Sequence, residues 1–528
     1  MKKKLVSSLL IAAMAVSTFA ACGDSSADSA ATDSAATDAG TSDAAAESTG
    51  DYQLDKITMV VNGTLTATLD NGQAEFEKQW EDAVGVDLEI QQLDHSGYND
   101  AVGRLFASGD YPDVMIMSAD MYAQYATTGI LWDMTSAYEN SDFYSRIEYP
   151  EVNENLKKDG KLYGFAPAYG NGCVTYIKQS WLDEAGIDAS TVTDFDSYYD
   201  MLKAFSTNGK YGVIAAGYIS DEAPYTNYLP EFWQDAYPNI LQGDDGVWYD
   251  GFQTQETKDA IVRIAQGVKD GVIDPTTLTN STKDARESWF SNDQSSSAGC
   301  FTYWAGTWYQ TLTDNLIKNE VDSDLVELAP IAEVGAYINR EAPVWVIIDD
   351  MDGDDSREQA IFDKFIETMM DGGKVQMLWE YGAEGTHWST AADEFTLNAG
   401  TDKEETKTYA EGEFHCLPSP NDPNTQWKKN AMDPALVICP LEGEYANYVD
   451  ASTLAAEGNE FFTSHMKDAP ISPSSEVYTN YAGNIQDAKK VCIASVVNEG
   501  VDIETAMQTY IDTVGYMVDE ALAELNAQ

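Results

Sequence analysis

Two short segments combine aromatic side chains with glycines and polar residues. Gly299–Tyr309 contains one phenylalanine, two tyrosines and two tryptophans, and Tyr381–Trp388 contains tyrosine, glutamate, histidine and tryptophan. A sugar ring presents apolar C–H faces edged by hydroxyl groups, so flat aromatic rings beside carboxylates and amides form the chemistry that binds it. We expect Trp304 or Trp308 to line a ligand cleft, although either one taken singly is equally compatible with a buried core position.

The common catalytic and phosphate-binding motifs are missing from the sequence. It contains no HExxH, GxxxxGK[ST] or GxSxG pattern, and no GxGxxG that opens a helix. Glu380 and Glu384 are spaced as a carboxylate pair for glycoside hydrolysis, but in a chain with 89 acidic residues such pairs arise by chance. The acidic loop Asp349–Asp355 fails the EF-hand pattern at its first and twelfth positions, which favours a solvated turn. The sequence therefore predicts neither a metal nor a cofactor.

Alternating segments of strand and helix pattern must position these residues. β-Branched runs predict strands, and apolar residues four apart predict helices, in an order typical of an α/β layer with a largely parallel sheet. A second such unit follows, and the chain ends in amphipathic helices interrupted near Gly500. Residues 218–255, rich in aromatics, proline, glycine and aspartate, predict long surface loops. The predicted strands are Ile57–Val61, Val86–Leu93, Val114–Met117, Val174–Ile177, Tyr211–Ala216 and Val344–Ile348.

The amino-acid composition restricts the classes of molecule that the protein can bind. The 528 residues include 30 basic and 89 acidic ones, a formal net charge of −59. Neutralising phosphates requires clustered lysine and arginine, so nucleic acid is excluded as a partner, and polyanionic ligands are disfavoured. Cysteines outside the N-terminal segment are odd in number and lack CxxC spacing, which favours buried thiols. These cysteines are Cys173, Cys300, Cys416, Cys439 and Cys492.

The N-terminus carries an export signal. Lysines 2–4 precede an apolar segment over residues 5–20 that is short for a membrane span, and Cys22 follows two alanines. Phe19–Cys22 resembles the bacterial lipobox, in which the cysteine becomes the lipidated first residue; an ordinary secretory signal is the alternative. Residues 1–21 are thus predicted to be a signal peptide, and residues 22–51, without aromatic or large aliphatic side chains, a flexible acidic tether. Lipid on Cys22, palmitate included, would anchor the protein outside the cell membrane.

A series of motifs resembles the extracellular solute-binding proteins of bacterial ABC importers, family 1, in particular a lipoprotein subfamily linked to oligosaccharide uptake. Phe106–Val114 is similar to that family's SGDxPD segment, Gly129–Thr135 to its GxLxDLT segment, and Asp159–Pro167 to its DGKxYGxP segment. Further similar segments occur in the same order along the chain. They are Tyr176–Phe205, the aromatic segment around Trp304, and Tyr381–Trp388, which resembles a YGxEGxHW signature.

This resemblance implies a type II periplasmic-binding-protein-like α/β fold, in which two lobes joined by a hinge close on a ligand between them. On the family pattern, lobe 1 would hold residues 52–168 and 325–380, and lobe 2 would hold residues 169–324 and 385–528. The implied protein is a monomeric, non-enzymatic binding lipoprotein that passes its cargo to ABC permease subunits. Because the place of a calcium loop in some relatives, Ser206–Lys210, lacks carboxylates, and because the chain is so acidic, a neutral oligosaccharide is the expected cargo.

The resemblance also implies ligand-binding residues at the lobe interface. They would follow the third strand, occupy the first crossover, and come from the two aromatic segments. The expected residues are Asp120, Tyr122, Tyr169, Asn171, Trp304, Thr307, Glu384, His387 and Trp388. Other hypotheses stay open at this point: a secreted glycan hydrolase with paired carboxylates, the same fold binding a peptide or another solute, and a surface adhesin.

Overall fold

The computed structural model describes the chain from residue 52 to 527, apart from residues 63–66, 95–97, 110, 127, 221–225, 227, 292–297, 341, 429–436 and 449–452. The predicted signal peptide, the tether and Cys22 therefore lie outside the described residues. Residues 50–528 form one compact unit. Within the described ranges, no helix is both long and apolar enough to cross a membrane.

The N-terminal elements build the first lobe. They are β1 (Lys56–Val61), α1 (Gln73–Val84), β2 (Asp87–Gln92), α2 (Tyr98–Ser108), β3 (Val114–Met117), α3 (Ala119–Tyr125), α4 (Thr135–Asn140) and α5 (Glu151–Glu154). The chain then enters the second lobe, whose elements are β4 (Cys173–Lys178), α6 (Gln179–Ala185), α7 (Phe195–Phe205), β5 (Tyr211–Ile214), α8 (Pro230–Trp233), β6 (Ile240–Gln242), β7 (Trp248–Asp250), α9 (Gln255–Lys269), α10 (Thr282–Trp289), β8 (Ala298–Trp304), α11 (Thr307–Lys318) and β9 (Leu325–Glu327).

The chain returns to the first lobe, forms a β-rich segment, and ends on the second lobe. The returning elements are β10 (Tyr337–Asn339), β11 (Val344–Ile347), α12 (Ser356–Ile361), a π-helical turn (Phe362–Ile366), α13 (Glu367–Met369) and α14 (Lys374–Tyr381). The β-rich segment comprises β12 (Trp388–Ser389), β13 (Asp393–Leu397), β14 (Glu405–Tyr409), β15 (His415–Cys416), β16 (Pro418–Ser419) and β17 (Asp422–Gln426). The last elements are α15 (Leu454–His465), β18 (Met466–Asp468), α16 (Glu476–Glu499) and α17 (Ile503–Leu525).

Each lobe is organised around a four-stranded sheet. In the first lobe the order is β11-β3-β1-β2, with β1 parallel to β2 and β3, and β11 antiparallel to β3. In the second lobe the order is β5-β8-β4-β9, where only β5 and β8 run parallel. The expectation of a largely parallel sheet is confirmed for the first lobe and wrong for the second, because β4 pairs antiparallel with strands that reach it from long crossovers.

Two large hydrophobic clusters correspond to the two lobes. One contains buried residues from 57 to 166, from 342 to 383, and Ile438 and Cys439; the other contains residues 173–337 and 462–518. Residues 325–337, expected in lobe 1, pack in lobe 2, because β9 pairs with β4 and Leu328 joins that core. The segment after residue 385, expected in lobe 2, shares a third small cluster with α14 of the first lobe through Trp388 and Trp427.

Two chain segments cross between the lobes side by side. Phe165 pairs with Trp345 in an antiparallel bridge, and the Arg340 backbone N–H donates to the Asn171 carbonyl over 3.0 Å. β10 continues this contact by pairing with β18. Paired extended segments between two packed cores form a hinge region.

The prediction of long surface loops over residues 218–255 is wrong. The segment contains α8 and the β6–β7 hairpin, and the side chains of Phe232 and Trp233 are fully buried. The Trp233 indole N–H donates to the Tyr218 carbonyl over 2.9 Å. Aromatic residues between turn-forming residues were mistaken for surface because a four-residue helix carries no periodic signal. The cysteine prediction is confirmed: all five cysteines outside the N-terminal segment are buried thiols.

Candidate functional site

Of the two residues predicted after β3, Tyr122 lines none of the cavities described below. Tyr122 is buried in the first lobe, where its hydroxyl donates to the Leu156 carbonyl over 2.8 Å and its ring lies against Gly164. Burial raises the pKa of this phenol above its ordinary value. Asp120 belongs to α3, and its side chain lies outside the described part of the structure. Tyr122 is therefore a core residue in this structure, and its contact with a ligand remains a prediction.

The predicted crossover residues belong to the hinge. Asn171 is buried, and its side chain bridges the Gly172 N–H, at 2.9 Å, and the Ala305 carbonyl, at 3.4 Å. The Tyr169 hydroxyl donates to the Glu151 carboxylate, and the residue lines a small cavity of about 70 Å³. Both residues fix the crossover in place, and Tyr169 is the one of the pair that faces open space.

Within the first aromatic segment, Trp308 rather than Trp304 faces open space. Trp304 is buried, and the Arg340 guanidinium lies 4.4 Å from the centre of its ring. Thr307 is the first residue of α11, and its carbonyl accepts the Thr311 hydroxyl over 2.9 Å. Trp308, one residue later, lines a cavity of about 630 Å³. Of the two tryptophans, Trp308 is therefore the one that lines a cavity, and its contact with a ligand remains a prediction.

The second aromatic segment is held by its own backbone. His387 is fully buried: its Nδ1 accepts the Ala383 N–H over 2.7 Å, so the protonated Nε2 donates to the Asn71 carbonyl over 2.9 Å. Burial lowers the pKa of this imidazole, which keeps it neutral. Trp388 is buried and donates to the Gly382 carbonyl over 2.8 Å.

The same segment leaves its carboxylate in solvent. Glu384 is exposed, and its backbone N–H and carbonyl are both bonded by the Gln79 amide, at 3.0 and 2.9 Å. Glu380, its proposed hydrolytic partner, is buried and accepts the Gln376 amide over 2.9 Å. Glu380 is thus buried, whereas the Glu384 side chain faces solvent. The side chains of His387 and Trp388 stabilise the loop, and the predicted ligand contacts of His387, Trp388 and Glu384 remain predictions.

The largest described cavity, about 820 Å³, lies between the two lobes. Asp70 and Asn71 of the first lobe form one side, α11 of the second lobe forms another, and the β-rich segment closes a third. Its volume is within the range of small-molecule sites. Amide and hydroxyl side chains predominate in its lining. They are Asn71, Thr311, Asn315, Asn398, Thr401, Ser419, Asn421, Asn424, Thr425 and Gln426.

One face of α11 extends this cavity. Thr311 and Asn315, one turn apart, line both the 820 Å³ cavity and the 630 Å³ cavity that contains Trp308 and Arg286. The Arg286 guanidinium lies 4.8 Å from the Trp308 ring centre and donates to the Tyr303 hydroxyl over 2.8 Å. The two cavities are therefore neighbours along the helix, and together they are called the α11 groove, with an aromatic platform near its start.

The β-rich segment is joined to both lobes beside the cavity. Gln310 of α11 donates to the Gln426 carbonyl over 2.9 Å. The Trp427 ring stacks on His387 with 4.0 Å between centres, and its indole N–H donates to the Tyr381 carbonyl over 2.9 Å. A tryptophan on this wall thus gives the polar cavity an apolar surface at a fixed place.

The charges in the larger cavity are mixed but acidic in balance. Asp70, Asp314, Glu320 and Asp422 face it together with Lys318 and Lys428. Burial raises the pKa of Asp314 to about 6, Lys428 opposes this rise, and Asp422 adds to it. An anionic ligand would meet this excess of carboxylates, so the cavity favours neutral or hydrogen-bond-donating ligands.

Sequence reasoning missed most of this lining. Asn398 and Asn421 lie in turns of the β-rich segment, and Asn424 lies in β17. Asn and Asp favour turns for local reasons, which is the simpler explanation for such a segment. The one available signal is Trp427 following polar residues in Thr425–Trp427.

A separate acidic group lies at the loop after β11. One oxygen each of Asp349, Asp350 and Glu358 lies within 4.8 Å of the other two. Glu358 already accepts the Asp350 N–H over 3.2 Å and lies 3.3 Å from the Arg357 guanidinium. These contacts fit the solvated turn predicted for Asp349–Asp355.

Comparison with known proteins identifies the family. Residues 73–381, more than half of the chain, match the model of the bacterial extracellular solute-binding protein family. The chain belongs to this family. A carbohydrate ABC transporter substrate-binding protein of Streptococcus pneumoniae is 28% identical over 163 residues, 30% of this chain. That match covers 32% of the relative's length.

Solved structures agree with the two-lobe fold of this solute-binding protein. An ABC substrate-binding protein from Listeria monocytogenes, in complex with cycloalternan, has a TM-score of 0.56 at 17% identity, over 88% of this chain and 99% of that one. An N-glycan transport solute-binding protein from Streptococcus pneumoniae has a TM-score of 0.59 at 16% identity, over 90% and 98% of the two chains. At this identity the likeness shows the fold, and the prediction of a periplasmic-binding-protein-like α/β fold is confirmed.

Proposed function

We propose that the protein is the substrate-binding component of an ABC importer and that it captures a neutral oligosaccharide. The inter-lobe groove along α11 carries this proposal. It combines amide and hydroxyl side chains with Trp308 and Trp427, the two residue types that a sugar ring requires together. The same ligand class is supported by the carbohydrate transporter relative, by the structural neighbour in complex with cycloalternan and by the N-glycan transport protein.

Both lobes contribute to the groove, so a ligand that bridges them would favour the closed arrangement. A ligand shifts such an equilibrium only through contacts made in one state and not the other. Asn71 on the first lobe and Asn315 on the second are placed to supply such contacts. The bound and released sugar would be chemically identical, and passage to permease subunits would follow. The chain would act as a monomer.

A thermal-shift screen of the purified full chain tests the proposal. The panel contains neutral oligosaccharides, uronate oligosaccharides and short peptides. A ligand at about 100 times its Kd stabilises the folded state by roughly 2.7 kcal/mol, which raises Tm measurably. A concentration-dependent rise with a neutral sugar, recovered uncleaved by mass spectrometry, supports the proposal. A rise with peptides or uronates alone, or cleaved sugar, would contradict it.

We also propose that Cys22 carries the lipid that anchors the protein outside the cell. The basic start, the apolar segment and Phe19–Cys22 support this. In cells fed an alkyne analogue of palmitate, the wild-type chain should be labelled and should sediment with membranes. The Cys22→Ser variant should lose both properties, and labelling that persists in this variant would refute the anchor.

A further inference from the structure

One partly buried carboxylate in the inter-lobe cavity has no hydrogen-bond or ion-pair partner among the described residues. Asp314 lies on α11 and lines the 820 Å³ cavity. Two other acids of the same cavity, Asp70 and Asp422, are engaged, and Glu320 is exposed to solvent. Asp70 accepts the Thr68 hydroxyl over 2.9 Å, and Asp422 accepts the Asn424 N–H over 3.2 Å.

The fold gains nothing from an aspartate at this position. Aspartate is a poor residue for a helix interior, and Asp314 is the eighth residue of the twelve in α11. A partly buried carboxylate without a partner is also costly to hold in the ionised form. Lys428 favours the ionised form electrostatically, but no ion pair joins the two side chains within the described part of the chain, and the Lys428 ammonium donates to the Thr311 hydroxyl.

The surroundings of Asp314 indicate which kind of ligand group would bond to its carboxylate. A carboxylate only accepts hydrogen bonds, so its partner must donate. The adjacent Asn315 uses its amide N–H on the Thr311 carbonyl over 2.7 Å, and Trp427 offers an apolar surface in the same cavity. Adjacent hydroxyl groups on a sugar ring match this arrangement, because a carboxylate can accept from two of them at once.

We propose that Asp314 is a specificity-determining residue that accepts hydrogen bonds from two hydroxyl groups of the bound sugar and disfavours rings that carry a carboxylate. This assignment rests on the proposed function and names the cargo more narrowly. The ligand is a glycan whose ring beside α11 has free neighbouring hydroxyl groups. Glycans that carry an acidic group on that ring meet Asp314 as a like charge.

The test compares wild type with Asp314→Asn, Asp314→Ala and the control Asp519→Asn. Asp519 is an exposed aspartate on α17, far along the chain from the cavity residues. The full chains are applied to an array of neutral and uronate-containing oligosaccharides, and the Kd of each neutral glycan bound by wild type is then measured by calorimetry. The melting temperature without ligand is recorded for every variant.

We expect Asp314→Asn to weaken binding about tenfold and Asp314→Ala to weaken it further, because charge-assisted hydrogen bonds are lost. Both variants should melt at the wild-type temperature or above it, and their preference for neutral over uronate glycans should fall. Asp519→Asn should match wild type throughout.

Three results would overturn the assignment. If both Asp314 variants bind the glycan of the wild type with unchanged Kd, Asp314 does not contact the ligand, and the proposed importer function is unaffected. If both variants melt well below wild type without ligand, the residue is structural. If wild type binds no glycan on the array, the proposed function fails, and this assignment fails with it.

Discussion

The loop Tyr381–Trp388 and the cavity-facing side of α11 both carry residues suited to sugar binding, yet the fold uses them differently. In the loop, the polar side-chain atoms of His387 and Trp388 are bonded to backbone groups. On α11, the Asp314 carboxylate has no partner among the described residues and faces a cavity. A side chain whose polar atoms are satisfied by the backbone holds the architecture, while one left unsatisfied in a cavity is available to a ligand.

Glycines complete the loop's structural role. A Cβ at Gly382 would lie 2.6 Å from His387 Nδ1, and one at Gly72 would lie 2.5 Å from Nε2. Both glycines also have positive φ, which side-chain-bearing residues rarely adopt. The imidazole is thus enclosed by backbone from the two segments that it joins.

The largest expected effect is on stability, from His387→Ala. The substitution removes the imidazole bonds to the Ala383 N–H and the Asn71 carbonyl and opens a void beneath Trp427. We expect the free energy of unfolding to fall by about 3 kcal/mol, measured by urea denaturation. If the variant keeps its stability but loses glycan binding, the Tyr381–Trp388 loop is part of the binding site and its role is not structural.

Trp308→Ala should give the next largest effect, on binding. Removing an indole from the groove should raise the Kd of a bound glycan about tenfold, measured by calorimetry. Trp304→Ala is the matched variant: its side chain is buried against Arg340, so stability should fall more than for Trp308→Ala. If both variants lost the same affinity and had the same stability, the assignment of ligand binding to Trp308 and core packing to Trp304 would be wrong.

Glu327→Gln tests an unpartnered carboxylate outside the groove. Burial, reinforced by Glu457, raises the pKa of Glu327 to about 8, and its Oε1 has no partner among the described residues. Because the folded-state pKa exceeds the unfolded one, stability should rise as pH falls from about 8 to about 4.5.

The Glu327→Gln variant should flatten that dependence and stabilise the protein by about 1 kcal/mol at pH 7, since partial exposure reduces the full effect. Melting curves across this pH range measure both. Glycan affinity should stay at the wild-type value. A tenfold change in Kd would show that Glu327, like Asp314, affects ligand binding, which would contradict this prediction.

Glu384→Ala should have the smallest effect. The side chain is exposed, and the loop is bonded to Gln79 through backbone atoms that the substitution retains. Stability should change by less than about 0.5 kcal/mol, and glycan affinity should not change. A large loss of affinity by calorimetry would restore Glu384 as a ligand contact.

Local sequence patterns located the main elements. The runs at 57–61 and 114–117 are β1 and β3, and the apolar spacing of Phe76, Trp80 and Val84 is α1. Gly500 ends α16 in a left-handed conformation, as expected for the interruption in the final helices. These features depend on residues that are close in sequence, so the local sequence specifies them whatever their tertiary surroundings.

The site was less predictable, and the reasons are physical. Trp304 and Trp308 are both aromatic and lie in one motif, but one belongs to β8 and packs inward while the other lies on the first turn of α11. Asn71 lines the same cavity as Asn421 and Gln426 because the β-rich segment folds back onto a part of the chain more than three hundred residues earlier. No local sequence pattern encodes that proximity.

The sequence by itself determined the α/β composition, the net negative charge and the family motifs, because these follow from residue identity and short-range spacing. Only the tertiary structure decided which aromatic and polar side chains line one cavity between the lobes. The surrounding groups decide the role of each side chain: His387 is bonded to two backbone groups and is structural, while Asp314 has no hydrogen-bond partner among the described residues and faces the cavity.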